Sequence, residues 1–388
     1  MHAACALART RPAIELADVV RAHGETFAQS RTLLPEQRAA LRDIARCRTP
    51  VLGGHLDVCT ACGHQQPSYN SCRNRHCPKC QSLAQARWIE GRLERLLPVH
   101  YFHVVFTLPA ELRAVAMRHR EAVFDMLLAS AAQTLMTLAR DPKRLGAELG
   151  VTMVLHTWTR ELHFHPHVHA IVTGGGLTAD DARWVRSRSD FLFPVRVMGA
   201  LFRGKMLAAL ERAHARARID LGGADTEALR HKPWIVYAKR PFGGPQQVVR
   251  YLGRYTHRVG ISNQRLVSMD ERDVTFRTKD GKTTTVPGPE LLARFVQHVL
   301  PRRFVKIRHY GLHSASHATT RLQIARQRLA PRAAPPVLGD RPQQLLDWRE
   351  LLLRLSGRDV RVCPACHQLA LIRTALPHPR SRAPPRAA

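Results

Sequence analysis

Acidic side chains are scarce in this chain: 30 Asp and Glu stand against 60 Lys and Arg in 388 residues, a formal net charge of +30. That imbalance disfavours cationic partners and predicts attraction to a polyanion, with affinity falling steeply as salt rises. Lysine is scarce as well. Nearly all the positive charge is arginine, a bias that a GC-rich genome also produces, so the sign of the charge is informative and the residue choice is not. No uninterrupted apolar span reaches transmembrane length, which argues against an integral membrane protein. Met1 to Val20 carries Arg9, Arg11, Glu15 and Asp18 where a secretory signal needs a clean apolar core. No internal repeat is present, which removes solenoid architectures. The expectation is a globular cytoplasmic protein of two or three domains, with 45% hydrophobic and 23% charged residues.

What is present is clustered. Six of the nine Cys lie between Cys47 and Cys80, as Cys59-x-x-Cys62, Cys72 and His76-Cys77-Pro78-Lys79-Cys80. Two Cys-x-x-Cys knuckles place four thiolates where a tetrahedral Zn²⁺ can take them, and a reducing cytoplasm argues against disulfides. Cys59, Cys62, Cys77 and Cys80 are the expected ligands of this structural Zn²⁺; Cys72, His76 and Cys47 stand as substitutes, and a second ion follows if several bind at once. Arg73, Arg75, Lys79 and Arg87 make the module a candidate reader of DNA ends. The pair Cys363-Pro364-Ala365-Cys366 has only His367 and His378 nearby, so half a zinc site, structural or vestigial, is expected there.

His163, His165, His167 and His169 alternate with apolar Leu162, Phe164, Val168 and Ala170, broken only at Pro166. Chance gives about one His-x-His pair at this histidine content, so four in alternation call for a purpose. Period two turns them to one face of a strand. A buried cluster of neutral imidazoles is the bland account; a metal site is the sharper one. Tyr251 and Tyr255 share one face of a helix at i and i+4, within Arg250-Tyr251-Leu252-Gly253-Arg254-Tyr255-Thr256-His257-Arg258. Surrounding cations suit a phosphate-facing surface better than a core. A phenol with a pKa near 10 attacks poorly at neutral pH unless its target is polarised, and a divalent ion on His167 and His169 supplies that polarisation.

Periodicity and punctuation predict helices in residues 1–46, a helix over 81–97, a strand over 101–107, and a helix through Val123, Leu127 and Leu135. Strands at 151–158 and 162–172 form an antiparallel pair, the second ended by Gly174-Gly175-Gly176. A basic helix at 195–217, a strand at 234–238, the tyrosine helix, strands at 265–269, 273–278 and 283–286 with an Asp280-Gly281 turn, a helix at 289–300 and a strand at 304–309 follow. The result is an α+β chain: a helical N-terminus and zinc module at 1–97, a catalytic domain at 98–311, and a basic C-terminal region at 312–388 with a linker at 330–336 and a disordered tail from 377.

His156-Thr157-Trp158, His165-Pro166-His167-Val168-His169, Gly174-Gly175-Gly176, Tyr251-Leu252-Gly253-Arg254-Tyr255-Thr256-His257-Arg258 and Arg308-His309-Tyr310-Gly311 appear in an order that resembles the two-tyrosine transposases of the insertion sequence ninety-one family. These belong to the HUH endonucleases, named for a His-hydrophobic-His motif. The likeness extends to Cys59–Gln81 and Phe102–Pro109, covering the chain from about Cys47 to Gly311. It implies an antiparallel HUH-type sheet with flanking helices and rolling-circle-like transposition. In such a reaction a tyrosine cuts single-stranded DNA at the element ends and target, leaving a 5′-phosphotyrosine and a free 3′-hydroxyl. It further implies Mg²⁺ or Mn²⁺ on His167 and His169, with His156 as expected third ligand, His165 and Glu161 as alternatives, and His163 least favoured. Lys239, Arg240, Arg250, Arg254 and Arg258 are expected on phosphates, and Trp158 on a base or in the core. Self-association is left open. A rolling-circle replication initiator shares the histidines and tyrosines, and a non-enzymatic zinc-dependent DNA-binding protein is the reading from another class.

Overall fold

A computed structural model of the chain describes residues 12–93, 95–239, 247, 253, 260–330, 347–357 and 359–376. Tyr251, Tyr255, Arg240, Arg250, Arg254 and Arg258, the linker from 331 and the tail from 377 lie outside the described residues. The fold is α+β, and it gathers into two compact units that are not consecutive in sequence: residues 1–87 with 257–299 and 341–388, and residues 88–256 with 300–340.

In the first unit, helices α1 (Leu16–Ser30) and α2 (Pro35–Arg46) precede a hairpin of strands β1 (Gly54–Cys59) and β2 (Gln65–Tyr69). Leu16, Val19, Val20 and Phe27 share the buried side of α1, the spacing that a 3.6-residue period requires. Helix α3 (Ser82–Leu93) begins here. It stops four residues before the predicted end, because the Leu97 amide donates to the Tyr101 hydroxyl, 2.8 Å away, and Leu97 is buried outside the helix.

The second unit holds the main sheet. Strands β3 (Tyr101–Thr107), β4 (Glu148–Trp158), β5 (Phe164–Leu177), β6 (Trp184–Arg186), β7 (Val236–Lys239) and, late in the chain, Ile307–Gly311 pair antiparallel throughout. The late strand borders β4; β5 and β3 follow, β7 forms the far edge, and β6 pairs with β5. One face carries Phe102, Val104, Phe106, Met153, Leu155, Val168, Ala170 and Val172 into a single core with the helices α5 (Arg120–Arg140) and α6 (Val195–Ala215), after the short α4 (Arg113–Arg118). By length and composition α5 is apolar enough to cross a membrane, but two-thirds of that stretch is buried, as a core helix demands. Helix α7 (Thr226–His231) links α6 to β7.

The three glycines predicted to end β5 lie inside it. A Cβ on Gly176 would meet the Glu148 carbonyl at 2.6 Å and one on Gly174 the His100 ring. Gly175 adopts φ 138° with Trp184 Nε1 2.6 Å from its would-be Cβ. Close approach of neighbours, rather than chain reversal, is what these glycines permit.

Strands β8 (Leu266–Met269), β9 (Asp273–Arg277) and β10 (Thr283–Pro287) form a separate antiparallel meander in the first unit, with the predicted turn at Asp280 and Gly281, both at positive φ. Helix α8 (Gly288–Val296) then packs on α1, and Gln37 on α2 donates to the Val296 carbonyl at 2.9 Å. With the late sheet strand as β11, the chain continues through α9 (Arg321–Leu329) and α10 (Trp348–Ser356) to β12 (Leu371–Leu376). Strand β12 pairs along the whole of β1, from Gly54↔Leu376 to Cys59↔Leu371. The basic C-terminal region, between the expected linker and the expected tail, thus supplies a strand to the cysteine module.

Candidate active site and metal centres

The cysteines do not group as expected. Cys59 and Cys62 share no cluster with Cys77 and Cys80; the structure forms one group of Cys47, Cys72, Cys77 and Cys80 and another of Cys59, Cys62, Cys363 and Cys366. The β1–β2 hairpin separates the two N-terminal knuckles. Its return carries Asn70 back to α2, where the Arg48 amide donates to the Asn70 carbonyl at 3.1 Å, so Cys72, Cys77 and Cys80 arrive beside Cys47 at the helix end. In this first group Cys47 Sγ lies 3.4 Å and Cys72 Sγ 3.6 Å from Cys80 Sγ. Tetrahedral zinc with bonds of about 2.3 Å sets sulfurs about 3.8 Å apart, so the group fits a Cys₄ zinc site. Hydrogen bonds from Cys47, Cys72 and Cys77 hold the Cys80 thiol well below its usual range, and Cys47 falls to about 7, foremost through Cys72. Hydrogen bonds to Cys47, with burial, push the Cys72 and Cys77 thiols up, so two of the four are drawn towards the thiolate form that zinc binds.

His76 is buried but belongs to neither group; its Nδ1 lies 3.1 Å from Asn74 Oδ1. Lys79, expected among DNA-reading cations, ion-pairs with Glu15 at 2.6 Å with both side chains largely covered. It ties the knuckle to the start of α1.

The histidines gather on the other face of the main sheet. Within β5, His167 and His169 point one way while Val168 and Ala170 enter the core. His156 pairs directly with His167 across β4–β5, which places both on the same face. Ligand nitrogens of His156, His167 and His169 all lie within 4.8 Å of one another. Pro166, which has no N–H to give, sits in the irregularity between the His156↔His167 and Trp158↔Phe164 pairs. His163 lies before the strand and is exposed. His165 is turned to Arg113, whose Nη2 is 3.1 Å from its Nδ1. Neither it nor Glu161 joins the group of three.

Electrostatics keep these rings neutral. Burial lowers the pKa of His167 to about 4 and pushes His156 and His169 well below the ordinary histidine value, with the neighbouring imidazoles adding to the effect. Neutral imidazole is the ligating form. A carbonyl oxygen only accepts, so His167 Nδ1, 2.7 Å from the His165 carbonyl, carries the proton, and its Nε2 presents a lone pair. That is the tautomer a metal-binding histidine needs.

His103 on β3 was overlooked as a site residue. Its Nε2 lies 2.7 Å from His169 Nδ1, with the two rings stacked at 5.0 Å. Burial, with Lys239 nearby, lowers it to about 4. Strand β3 sends Phe102, Val104 and Phe106 inward, which leaves His103 on the other face, and the β3–β5 register sets it beside His169. Lys239 pairs with His103 across β7. Trp158 stacks on His156 at 4.7 Å rather than standing as an open platform.

The predicted tyrosine segment is described at Gly253, which is helical and buried. A Cβ there would collide with the Ile89 side chain on α3. Ile89 in turn packs with Trp88 against Tyr101 and Ile171, and Ile171 shares the face of His169 by period two. Gly253 thus sits against Ile89, over the sheet face that carries the histidines.

Comparison with known proteins places the same regions. A family model described as "Transposase zinc-binding domain" matches residues 19–108, and one described as "Putative transposase" matches residues 150–320. A Sinorhizobium fredii protein with the name "Putative transposase y4qJ" is 43% identical over 385 residues, covering 94% of this chain and 96% of that one. The "Transposase for insertion sequence element IS801" of Pseudomonas savastanoi pv. phaseolicola is 29% identical over 286 residues, covering 68% of this chain and 67% of its own. No solved structure matches the chain.

Proposed function

From a chain that belongs to the two-tyrosine transposases of the insertion sequence ninety-one family, we propose a strand transferase that cuts and rejoins single-stranded DNA through 5′-phosphotyrosine links. Tyr251 and Tyr255 are the nucleophiles in this reading, and His156, His167 and His169 hold Mg²⁺ or Mn²⁺. The observation that carries it is the convergence of three neutral imidazoles on one sheet face, with Gly253 anchored over that face through Ile89.

His156, His167 and His169 would hold the divalent ion, which would supply Lewis-acid polarisation of the phosphodiester. The phenolic oxygen of one tyrosine then attacks phosphorus; its bond to phosphorus forms as the bond to the 3′ oxygen breaks. The phenol gives up its proton and the departing 3′ oxygen takes one up. Bond energy stays in the phosphotyrosine, so a 3′-hydroxyl can reverse the step without a nucleotide cofactor. The second tyrosine cuts another site while the first holds its end. Lys239, at the sheet edge beside His103, and Arg240, Arg250, Arg254 and Arg258 hold backbone phosphates.

The test is a denaturant-resistant protein–DNA adduct on labelled single strands from the element ends. The wild type with Mg²⁺ forms it, and the Tyr251→Phe/Tyr255→Phe double variant does not. An adduct surviving in the double variant removes both tyrosines from the reaction. His103 acts in this reading as a positioning residue, because a His169 that ligates through Nε2 donates from Nδ1 to His103 Nε2. Such outer partners are typically worth 10- to 100-fold in metal affinity. His103→Phe is expected to weaken Mn²⁺ binding, measured by calorimetry, roughly within that range without altering the fold; unchanged affinity removes the role.

A further inference from the structure

The second cysteine group joins parts of the chain far apart in sequence. Cys62 Sγ lies 3.7 Å from Cys363 Sγ, 301 residues later, and Cys59 Sγ lies 3.6 Å from Cys366 Sγ, 307 residues later. The two knuckles are built alike. In the first, the Gly63 amide donates to the Cys59 carbonyl at 2.9 Å and the Cys59 amide to His64 at 2.8 Å. In the second, the His367 amide donates to the Cys363 carbonyl at 2.9 Å and the Cys363 amide to Gln368 at 2.9 Å. Gly63 and His367 both take a positive φ, 72° and 59°, at the same step after the second cysteine. His367 accepts a conformation that disfavours side chains, so the turn is held by something beyond local preference. Sequence shows the same parallel in Cys59-Thr60-Ala61-Cys62 and Cys363-Pro364-Ala365-Cys366.

We propose that these four thiolates bind a second zinc ion, and that this ion clasps the C-terminal segment onto the N-terminal module. The matched zinc-binding family model ends at residue 108, so Cys363 and Cys366 lie beyond it. Sulfurs 3.6 and 3.7 Å apart suit tetrahedral Zn–S bonds of about 2.3 Å. They stand well outside the bonded separation of about 2.05 Å that a disulfide requires. The clasp lies at the end of the β1–β12 ladder, where the Thr60 amide donates to the Ala370 carbonyl at 2.9 Å. Each group buries two of its cysteines, but Cys62 is exposed, whereas no cysteine of the first group is more than half-exposed. The second ion is therefore the one a chelator reaches first. Closing so long a loop is where a metal clip restricts the unfolded chain most.

The experiment counts zinc in the full-length protein by native mass spectrometry. Wild type carries two ions per chain, the Cys363→Ser/Cys366→Ser variant one, and Cys366→His two, because imidazole replaces thiolate as a zinc ligand. In the Ser variant, limited proteolysis between residues 340 and 376 accelerates at least ten-fold, while Cys366→His stays protected. One ion in the wild type, two retained in the Ser variant, or a disulfide among the four cysteines in zinc-replete protein overturns the clasp. The count stands whether or not the chain cleaves DNA.

Discussion

The His167→Ala/His169→Ala variant stays folded, binds DNA as the wild type does, and loses strand cleavage by roughly 10³-fold, since a catalytic metal supplies several kcal/mol of charge stabilisation. The folded state survives because the face that packs the core is the other one: Val168, Ala170 and Val172 remain in place against α5 and α6. DNA binding survives because it rests on cations rather than imidazoles. The pair of measurements is a thermal melt beside a single-turnover cleavage assay, and cleavage within ten-fold of wild type would falsify the metal role. Acidity gives the same site a second signature. Burial lowers His167 and His103 to about 4, so protons compete for the ligands only as pH falls towards that value. Mn²⁺ binding therefore persists at pH 6, where an ordinary histidine is already mostly protonated.

Removing zinc from the Cys47 group has the other large effect. Structural zinc contributes about 10–16 kcal/mol in isolated fingers, as much as the whole stability of an ordinary domain, about 5–15 kcal/mol. Cys47 and Cys77 are buried, and the Lys79–Glu15 pair couples their loop to α1. With Cys77→Ser/Cys80→Ser, four clustered polar side chains would have no ion to satisfy them, and the first unit is expected to lose its cooperative unfolding transition. The main sheet, whose core contains none of these residues, keeps its own. Calorimetry resolves the two, and a first-unit transition shifted by less than about 3 °C, roughly 1 kcal/mol for a unit of this size, argues that the cysteines pack without metal.

Most of the main sheet was legible because its signal is local. Strand β3 falls on its predicted residues, and the alternation around His167 and His169 gave both the strand and its polar face. The zinc grouping was not legible, because spacing along the chain says which thiols can share a knuckle and not which knuckles meet. Cys77 follows Cys62 by fifteen positions but sits beyond a hairpin; Cys363 is distant in sequence yet adjacent through β12. His103 was hidden for a different reason. It stands alone in its strand, and only the register that sets β3 beside β5 turns it towards His169.

The place of β12 beside β1 also bears on how the protein is made. Strand β1 is synthesised early, but the partner for one of its edges lies at residues 371–376. At translation speeds of about 5–20 residues per second, the interval from Cys59 to Leu371 lasts on the order of tens of seconds. Through that time the edge presents unpaired amides and carbonyls to whatever strand passes. A copy of the gene cut short before β12 would leave that edge open permanently, yielding a product with an intact main sheet and a strong tendency to aggregate.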